Sequence, residues 1–412
     1  MKIIPLLAFL LISLSGFSKN KKINQGYWHS EFKLNESAVL PVTFMLEQNK
    51  TGISLFIINA DESIELKDVI RKKDSIFITF PAFDSELKGK IIRKNQIEGE
   101  WCNYAKGEDY KIPFKSINAY IPRFPKLGST INIYGKWEVT FDYDTDPEKA
   151  IGVFDSINYH CSYSKNDVVK GTFLTETGDY RYLEGVVSND SLYLSTFDGS
   201  HAFLFRSKLV GDTLWGDFLS GTHYQTKWYA VRNRDFQLTD PDSLTYLVNN
   251  EKIKLSLPDL NNEIYTYPNE ATKNKVTLIQ IMGTWCPNCL DENKYLAEQK
   301  KKFGDQLEII SVTFETQPTL AGKIAKVKKY KQNLDLDYTF LIGGNACKSC
   351  AAELFPMLNN IISFPTLIFI DKSQRIRRIH TGFNGPSTGI YYDHFVEKTN
   401  RLLETLISEK IN

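Results

Sequence analysis

A chain of 412 residues with 50 basic against 49 acidic side chains is long enough for two or three domains and nearly neutral. The sequence shows no nucleic-acid-binding signature, and the charge balance is no guide to a partner. The 26 Phe and 21 Tyr sit mostly in the first 235 residues, which favours strands there.

Met1–Ser18 reads as a signal peptide: Lys2 gives a thin positive start, Ile3–Leu14 an apolar stretch too short to span a bilayer, and Gly16-Phe17-Ser18 small residues for cleavage. No cysteine follows at once, which argues against a lipid anchor. The remainder has no apolar run long enough for a transmembrane span after signal cleavage. Export places the six cysteines (Cys102, Cys161, Cys286, Cys289, Cys347, Cys350) where disulfides persist, the periplasm in a Gram-negative cell.

Residues 24–235 carry an internal duplication, which divides them into a first β unit, 24–125, and a second, 126–235. Gly26-Tyr27-Trp28 opens one unit and Gly135-Lys136-Trp137 the other. Lys73-Asp74-Ser75-Ile76 is echoed by Asn189-Asp190-Ser191-Leu192, and Phe83-Asp84-Ser85 by Phe197-Asp198-Gly199. Short alternating segments with turn signals predict two all-β lobes, barrel or sandwich. Cys102 and Cys161 lie in different units, either as buried small hydrophobes or as a bridge between the lobes. Residues 236–250 read as a linker, followed by a third domain at 251–412.

That domain centres on Val276–Glu292, VTLIQIMGTWCPNCLDE. The apolar run Val276–Met282 predicts a strand buried on both faces. Gly283 breaks it, and Cys286-Pro287-Asn288-Cys289 leads into a helical pattern. In disulfide exchange the nucleophile is the thiolate, and the unpaired N–H groups of a helix N-terminus favour a sulfur anion there. Pro287 suits the first helical position. The two-residue spacer lets Cys289 attack a mixed disulfide formed on Cys286. A structural disulfide or half of a zinc site is the plainer reading of such a pair. Glu292, three residues past Cys289, is a helix neighbour able to take its proton, or else a solvated charge.

At these residues the chain resembles the TlpA/ResA-like extracytoplasmic thiol–disulfide oxidoreductases of the thioredoxin superfamily. The likeness covers about 250–412 and implies an α/β thioredoxin-like fold at the C-terminus, behind the all-β duplicated region. It also implies catalytic roles for Cys286, Cys289, Glu292 and Pro365, and substrate contacts at Trp285 and Phe364. Ile362-Ser363-Phe364-Pro365-Thr366 matches the superfamily's cis-proline loop, whose edge at Phe364 is placed to pair with a substrate strand. Gln280 stands where thioredoxin has a buried aspartate, so that titrating role is absent.

One departure is a second CxxC, Cys347-Lys348-Ser349-Cys350. It is either a second redox pair relaying electrons to Cys286/Cys289 or a local disulfide that pins a helix start. The lysine-rich stretch 320–333 reads as an ordinary solvated helix.

The expected activity is thiol–disulfide exchange with protein disulfide or dithiol substrates, more in keeping with a reductase. No cofactor or metal is called for, and a membrane electron donor is one candidate partner. The alternatives are a Cu(I)-handling CxxC protein and a non-enzymatic protein whose β lobes grip a partner. Peroxidase chemistry fits less well, because it needs a lone activated cysteine in a different loop.

Overall fold

The structure, a computed structural model, describes residues 23–410 except 51, 130, 157–167 and 250. The segment Met1–Ser18 and Cys161 therefore lie outside the described residues. Among the described residues, no helix is long and apolar enough to cross a membrane.

The all-β region forms two antiparallel lobes. In the first, strand Gly26–Lys33 pairs with Val39–Gln48 on one side and with Lys111–Ile117 on the other, so the first and last strands meet. The rest of that nine-stranded sheet runs outward to Glu62–Leu66 and Val69–Lys72. The second lobe repeats this plan, with Gly135–Phe141 between Glu148–Ser156 and Tyr224–Arg232. It also closes on itself, because Glu148–Ser156 pairs with Val169–Thr175. Such closure removes free edges and makes this lobe a barrel.

The duplication seen in the sequence is repeated in local geometry. Trp28 and Trp137 are both buried, and each indole N–H donates to a carbonyl four residues upstream, Asn24 at 3.2 Å and Ile133 at 2.8 Å. The glycines two residues earlier, Gly26 and Gly135, have φ of +99° and +103°, values that favour glycine. Lys73 and Asn189 both adopt positive φ, 55° and 52°, at the matching hairpin turns. The aromatic wealth of the second lobe fills its interior, where Phe141, Phe173, Phe205, Phe218 and Trp228 pack together.

The stretch read as a linker contains a short helix, α1 (Pro241–Leu244). Its Asp242 carboxylate pairs with Arg378, His380 and Lys398, and Val248 N–H donates to Met357 O at 2.9 Å. This segment thus packs against the C-terminal domain.

That domain is a five-stranded sheet between helices. Its elements are β1 (Val276–Met282), α2 (Pro287–Phe303), β2 (Leu307–Glu315), α3 (Leu320–Asn333), β3 (Thr339–Asn345), α4 (Lys348–Leu354), β4 (Thr366–Ile370), β5 (Ile376–Thr381) and α5 (Ile390–Ser408). The strand order is β3-β2-β1-β4-β5, with β1, β2 and β3 parallel and β4 and β5 antiparallel. Every residue of β1 is buried, as its uninterrupted apolar run predicts. Alternation sends Val276, Leu278 and Met282 to one core face and Ile279 and Ile281 to the other. The first face is continuous with the apolar interior of the first lobe, so the lobes and the C-terminal domain share a core.

Helix α3 is solvated on one side only, with Lys328 and Lys329 exposed while Ile324, Val327 and Tyr330 turn inward. Lys323 is buried, burial holds the Lys326 ammonium below its ordinary pKa, and Asn333 Nδ2 donates to Pro81 O of the first lobe at 2.7 Å. Lysine stems cover apolar surface while their heads find partners, so a lysine-rich pattern does not by itself mark an open face.

Candidate functional site

The chain leaves β1 through Gly283. A Cβ there would lie 2.3 Å from Trp285 Nε1 and 2.9 Å from Phe314 O, so only glycine lets the turn fold back over β2. Thr284 donates from its N–H at 2.9 Å and from its hydroxyl at 2.6 Å to the Glu315 carboxylate at the end of β2. Burial pushes the Glu315 carboxyl up to about 7. Trp285 Nε1 donates to Phe314 O at 2.9 Å, and its ring meets Phe364 edge-on at 5.5 Å.

This turn delivers Cys286 to the N-cap of the 17-residue helix α2, with Pro287 next. The Cys286 thiol donates to Phe364 O at 3.3 Å and accepts from Cys289 N–H at 3.2 Å. Phe364 precedes Pro365 through a cis peptide bond, and Pro365 O accepts from Gly382 N–H at 2.9 Å. Cys286, Trp285, Phe364 and Pro365, far apart in sequence, are thus brought together. Cys286 keeps 6% of its surface exposed and Cys289 none. Burial pushes the Cys289 thiol well above its ordinary value, and the neighbouring Cys286 sulfur and the Glu292 carboxylate push the same way.

Glu292 is fully buried, which overturns its reading as a solvated charge. Gln280 projects from the β1 face that α2 covers, and its amide donates to Glu292 Oε2 at 2.8 Å. Ser311 in turn donates to Gln280 Oε1 at 2.7 Å. The other carboxylate oxygen has no hydrogen-bond partner among the described residues, and burial raises the Glu292 carboxyl to about 8. A carboxyl so displaced exchanges its proton near neutral pH. Gln280 itself cannot titrate, yet it holds the group that does.

Cys347 and Cys350 form a disulfide at the start of α4. Cys102 is fully buried and bonded to no other cysteine among the described residues, which do not include Cys161.

The lobes roof this region. A cavity of about 520 Å³ is bounded by Trp285, Cys286 and Phe364 below and by lobe residues such as Lys106, Tyr180 and His223 above. Lys106 Nζ and His223 Nε2 are 3.1 Å apart; burial, and then that ammonium, push His223 down to about 4. Ser200 of the second lobe donates to Trp285 O at 3.4 Å. The turn around Thr177 reaches the cis-proline loop, where Ser363 Oγ donates to Thr177 O at 2.9 Å.

Beside the cavity, Arg181 is buried among carboxylates from three parts of the chain. It pairs with Glu62 of the first lobe at 2.7 Å, with Asp198 of the second at 3.2 Å, and with Asp291 of α2. Burial raises Glu62 and lifts Asp179 to about 6. It works the same way on Asp198, but His201 and Arg181 outweigh it and hold that group at about 2. One guanidinium therefore serves several carboxylates unequally. Sequence reading missed Glu315, Arg181, Asp179 and Thr177. Glu315 had a signal, its place at the C-terminal end of a parallel strand; the lobe residues had none, since the contacts that tie them to the first lobe and to the C-terminal domain span a hundred positions or more.

Comparison with known proteins places the domain. Residues 247–392 match the Redoxin family. A Bacillus subtilis (strain 168) protein, thioredoxin-like protein YneN, is 30% identical over 114 residues; the match covers 27% of this chain and 60% of that relative. Among solved structures, a thioredoxin-family thiol:disulfide interchange protein from Chlorobium tepidum TLS is similar with 14% identity and a TM-score of 0.30. It covers 39% of this chain and 99% of its own. A secreted thiol-disulfide isomerase from Corynebacterium glutamicum has 16% identity and a TM-score of 0.32, with coverages of 42% and 98%. The part of this chain that is similar to known proteins is thus its C-terminal domain, whose residues 247–392 match the Redoxin family model.

Proposed function

We propose that this chain is an exported, TlpA/ResA-like thiol–disulfide oxidoreductase that reduces disulfides of protein substrates through Cys286-Pro287-Asn288-Cys289. The observation that carries this reading is the contrast between the two sulfurs. Cys286 sits at the cavity wall, with its sulfur between Cys289 N–H and the Phe364 carbonyl, while Cys289 is buried beside a proton-exchanging carboxyl. A thiolate at Cys286 attacks the substrate disulfide, one substrate sulfur leaves, and a mixed disulfide remains. Cys289 then loses its proton to Glu292 and attacks Cys286, freeing the second substrate thiol. Trp285, Phe364 and Pro365 shape the surface that the substrate meets. Export rests on Met1–Ser18, and the reducing direction is the one the TlpA-like resemblance implies.

Thiol trapping tests the assignment. Cys286→Ser removes reduction of a protein disulfide such as insulin. Cys289→Ser accumulates mixed disulfides with partners, because the resolving attack is gone. Equal loss in both variants without trapped species would rule the reading out, and the reduction potential of the couple decides the direction.

A further inference from the structure

The second cysteine pair occupies a place in the fold equivalent to the first. β1, β2 and β3 are parallel, so their C-terminal ends share one edge of the sheet. The chain leaves β1 for Cys286-Pro287-Asn288-Cys289 and leaves β3 for Cys347-Lys348-Ser349-Cys350, with only β2 between. In each motif the first cysteine sulfur accepts from the N–H of the second, at 3.2 Å in one and 3.0 Å in the other.

Both turns hang on the end of β2. Thr284 and Trp285 bond to Glu315 and Phe314, and Ala346 N–H donates to Glu315 O at 3.1 Å. Two strand spacings, about 10 Å, separate β1 from β3. That distance is too long for direct attack of one pair on the other, but the second motif reaches the cavity wall: Lys348, between Cys347 and Cys350, lines the cavity together with Cys286, Trp285, Thr316 and Phe364. Cys347 and Cys350 are only partly buried.

We propose that Cys347–Cys350 is a second exchange-active pair, and that a dithiol or disulfide partner seated in the cavity carries electrons between it and Cys286/Cys289. This rests on the exchange reading of Cys286. In one direction, the Cys286 thiolate attacks the partner's disulfide, and Cys289 resolves the mixed disulfide. The partner leaves that step as a dithiol and Cys286–Cys289 as a disulfide. One partner thiolate then attacks the Cys347–Cys350 bond, displacing a cysteine thiolate. The other partner thiolate attacks the resulting mixed disulfide, which restores the partner's disulfide and leaves Cys347 and Cys350 as thiols. Two electrons have moved from the first pair to the second, and every step is reversible.

Oxidised lipoamide, a small cyclic disulfide, serves as the probe. The full chain is fully reduced, freed of reductant and kept anaerobic. It then receives enough probe to oxidise one of the two pairs, and peptide mass spectrometry after alkylation follows each pair. The expected course is a disulfide that forms first at Cys286–Cys289 and then redistributes to Cys347–Cys350, with a half-time independent of protein concentration.

A disulfide that stays at Cys286–Cys289 while Cys347 and Cys350 remain thiols throughout overturns the relay and leaves the exchange reading standing. A first pair inert to lipoamide overturns both. The Cys347→Ser/Cys350→Ser chain should still oxidise at Cys286–Cys289 at the wild-type rate. A large fall there would mean that the second pair only clasps the fold, and the relay would fall with it.

Discussion

Glu292 shows how one side chain acquires a function from its surroundings. Its carboxyl titrates near pH 8 in the folded chain, but in the ordinary carboxylate range once unfolded. Between those values the native state holds a proton that the unfolded state has released. Stability therefore falls as pH rises through this window and levels off above it. Glu292→Gln removes that dependence. Denaturation between about pH 5 and about pH 9 should show the variant gaining on the wild type by a few kcal/mol at the alkaline end. The same variant should slow the proposed resolving step by about a hundredfold, the usual weight of a proton-transfer group, and lengthen the life of the mixed disulfide. Parallel stability profiles would show that Glu292 does not hold the proton. The sequence placed this residue one helical turn from Cys289, but no spacing announces that the fold would bury it against Gln280 of β1.

At the scale of elements, the turn at Thr175–Gly178 decides how the second lobe meets the cis-proline loop. Gly178 has φ of +147°, and a Cβ on it would lie 1.8 Å from Asn288 Nδ2 and 3.4 Å from Phe383 O. Across the contact, a Cβ on Gly382 would lie 2.9 Å from the Thr177 carbonyl carbon. A side chain on Gly178 would thus run into the Asn288 amide from a strained backbone, and one on Gly382 into the backbone of the turn itself. Gly178→Ala should push the turn off the loop and break the Ser363–Thr177 hydrogen bond. Hydrogen exchange at Ser363 and Phe364 should quicken, and stability should fall by about 1–3 kcal/mol from backbone strain. Unchanged exchange in that loop would mean that the turn does not hold it. The duplication and its paired turns were legible in the sequence, because each unit repeats its own local signals. That a turn of the second unit would lie on the Cys286 loop was not.

At the scale of the whole molecule, Arg181 ties both lobes to α2. Removing a buried partner leaves the remaining charges uncompensated, at about 3–5 kcal/mol. Arg181→Met should therefore lower the denaturation midpoint and open the junction between lobes and C-terminal domain to limited proteolysis. A variant as stable and protease-resistant as the wild type would show that the pairing carries no docking energy. We also expect the fragment 236–412 to fold and to exchange with small disulfides, since it keeps α1 and its Asp242 contacts with the sheet. It exposes Leu290 and Asp291, so its stability should fall below that of the same domain in the full chain, by about 25 cal/mol for each Å² of apolar surface uncovered. An insoluble or inert fragment would show that the lobes are part of the folding unit.

What the sequence determined by itself was local. A continuous apolar run made β1, a glycine and a proline set the turn and the helix start, and repeated turn residues laid out two β units. Each of these follows from dihedral preference and from patterning within a few residues. The tertiary structure alone decided that the lobes roof Cys286, that Lys323 and Glu292 are buried, and that Cys286 and Lys348 of the second cysteine motif line one cavity. Those outcomes depend on which faces meet across a hundred positions or more. A glutamate or a lysine in the sequence carries no mark of whether water or another chain segment will cover it.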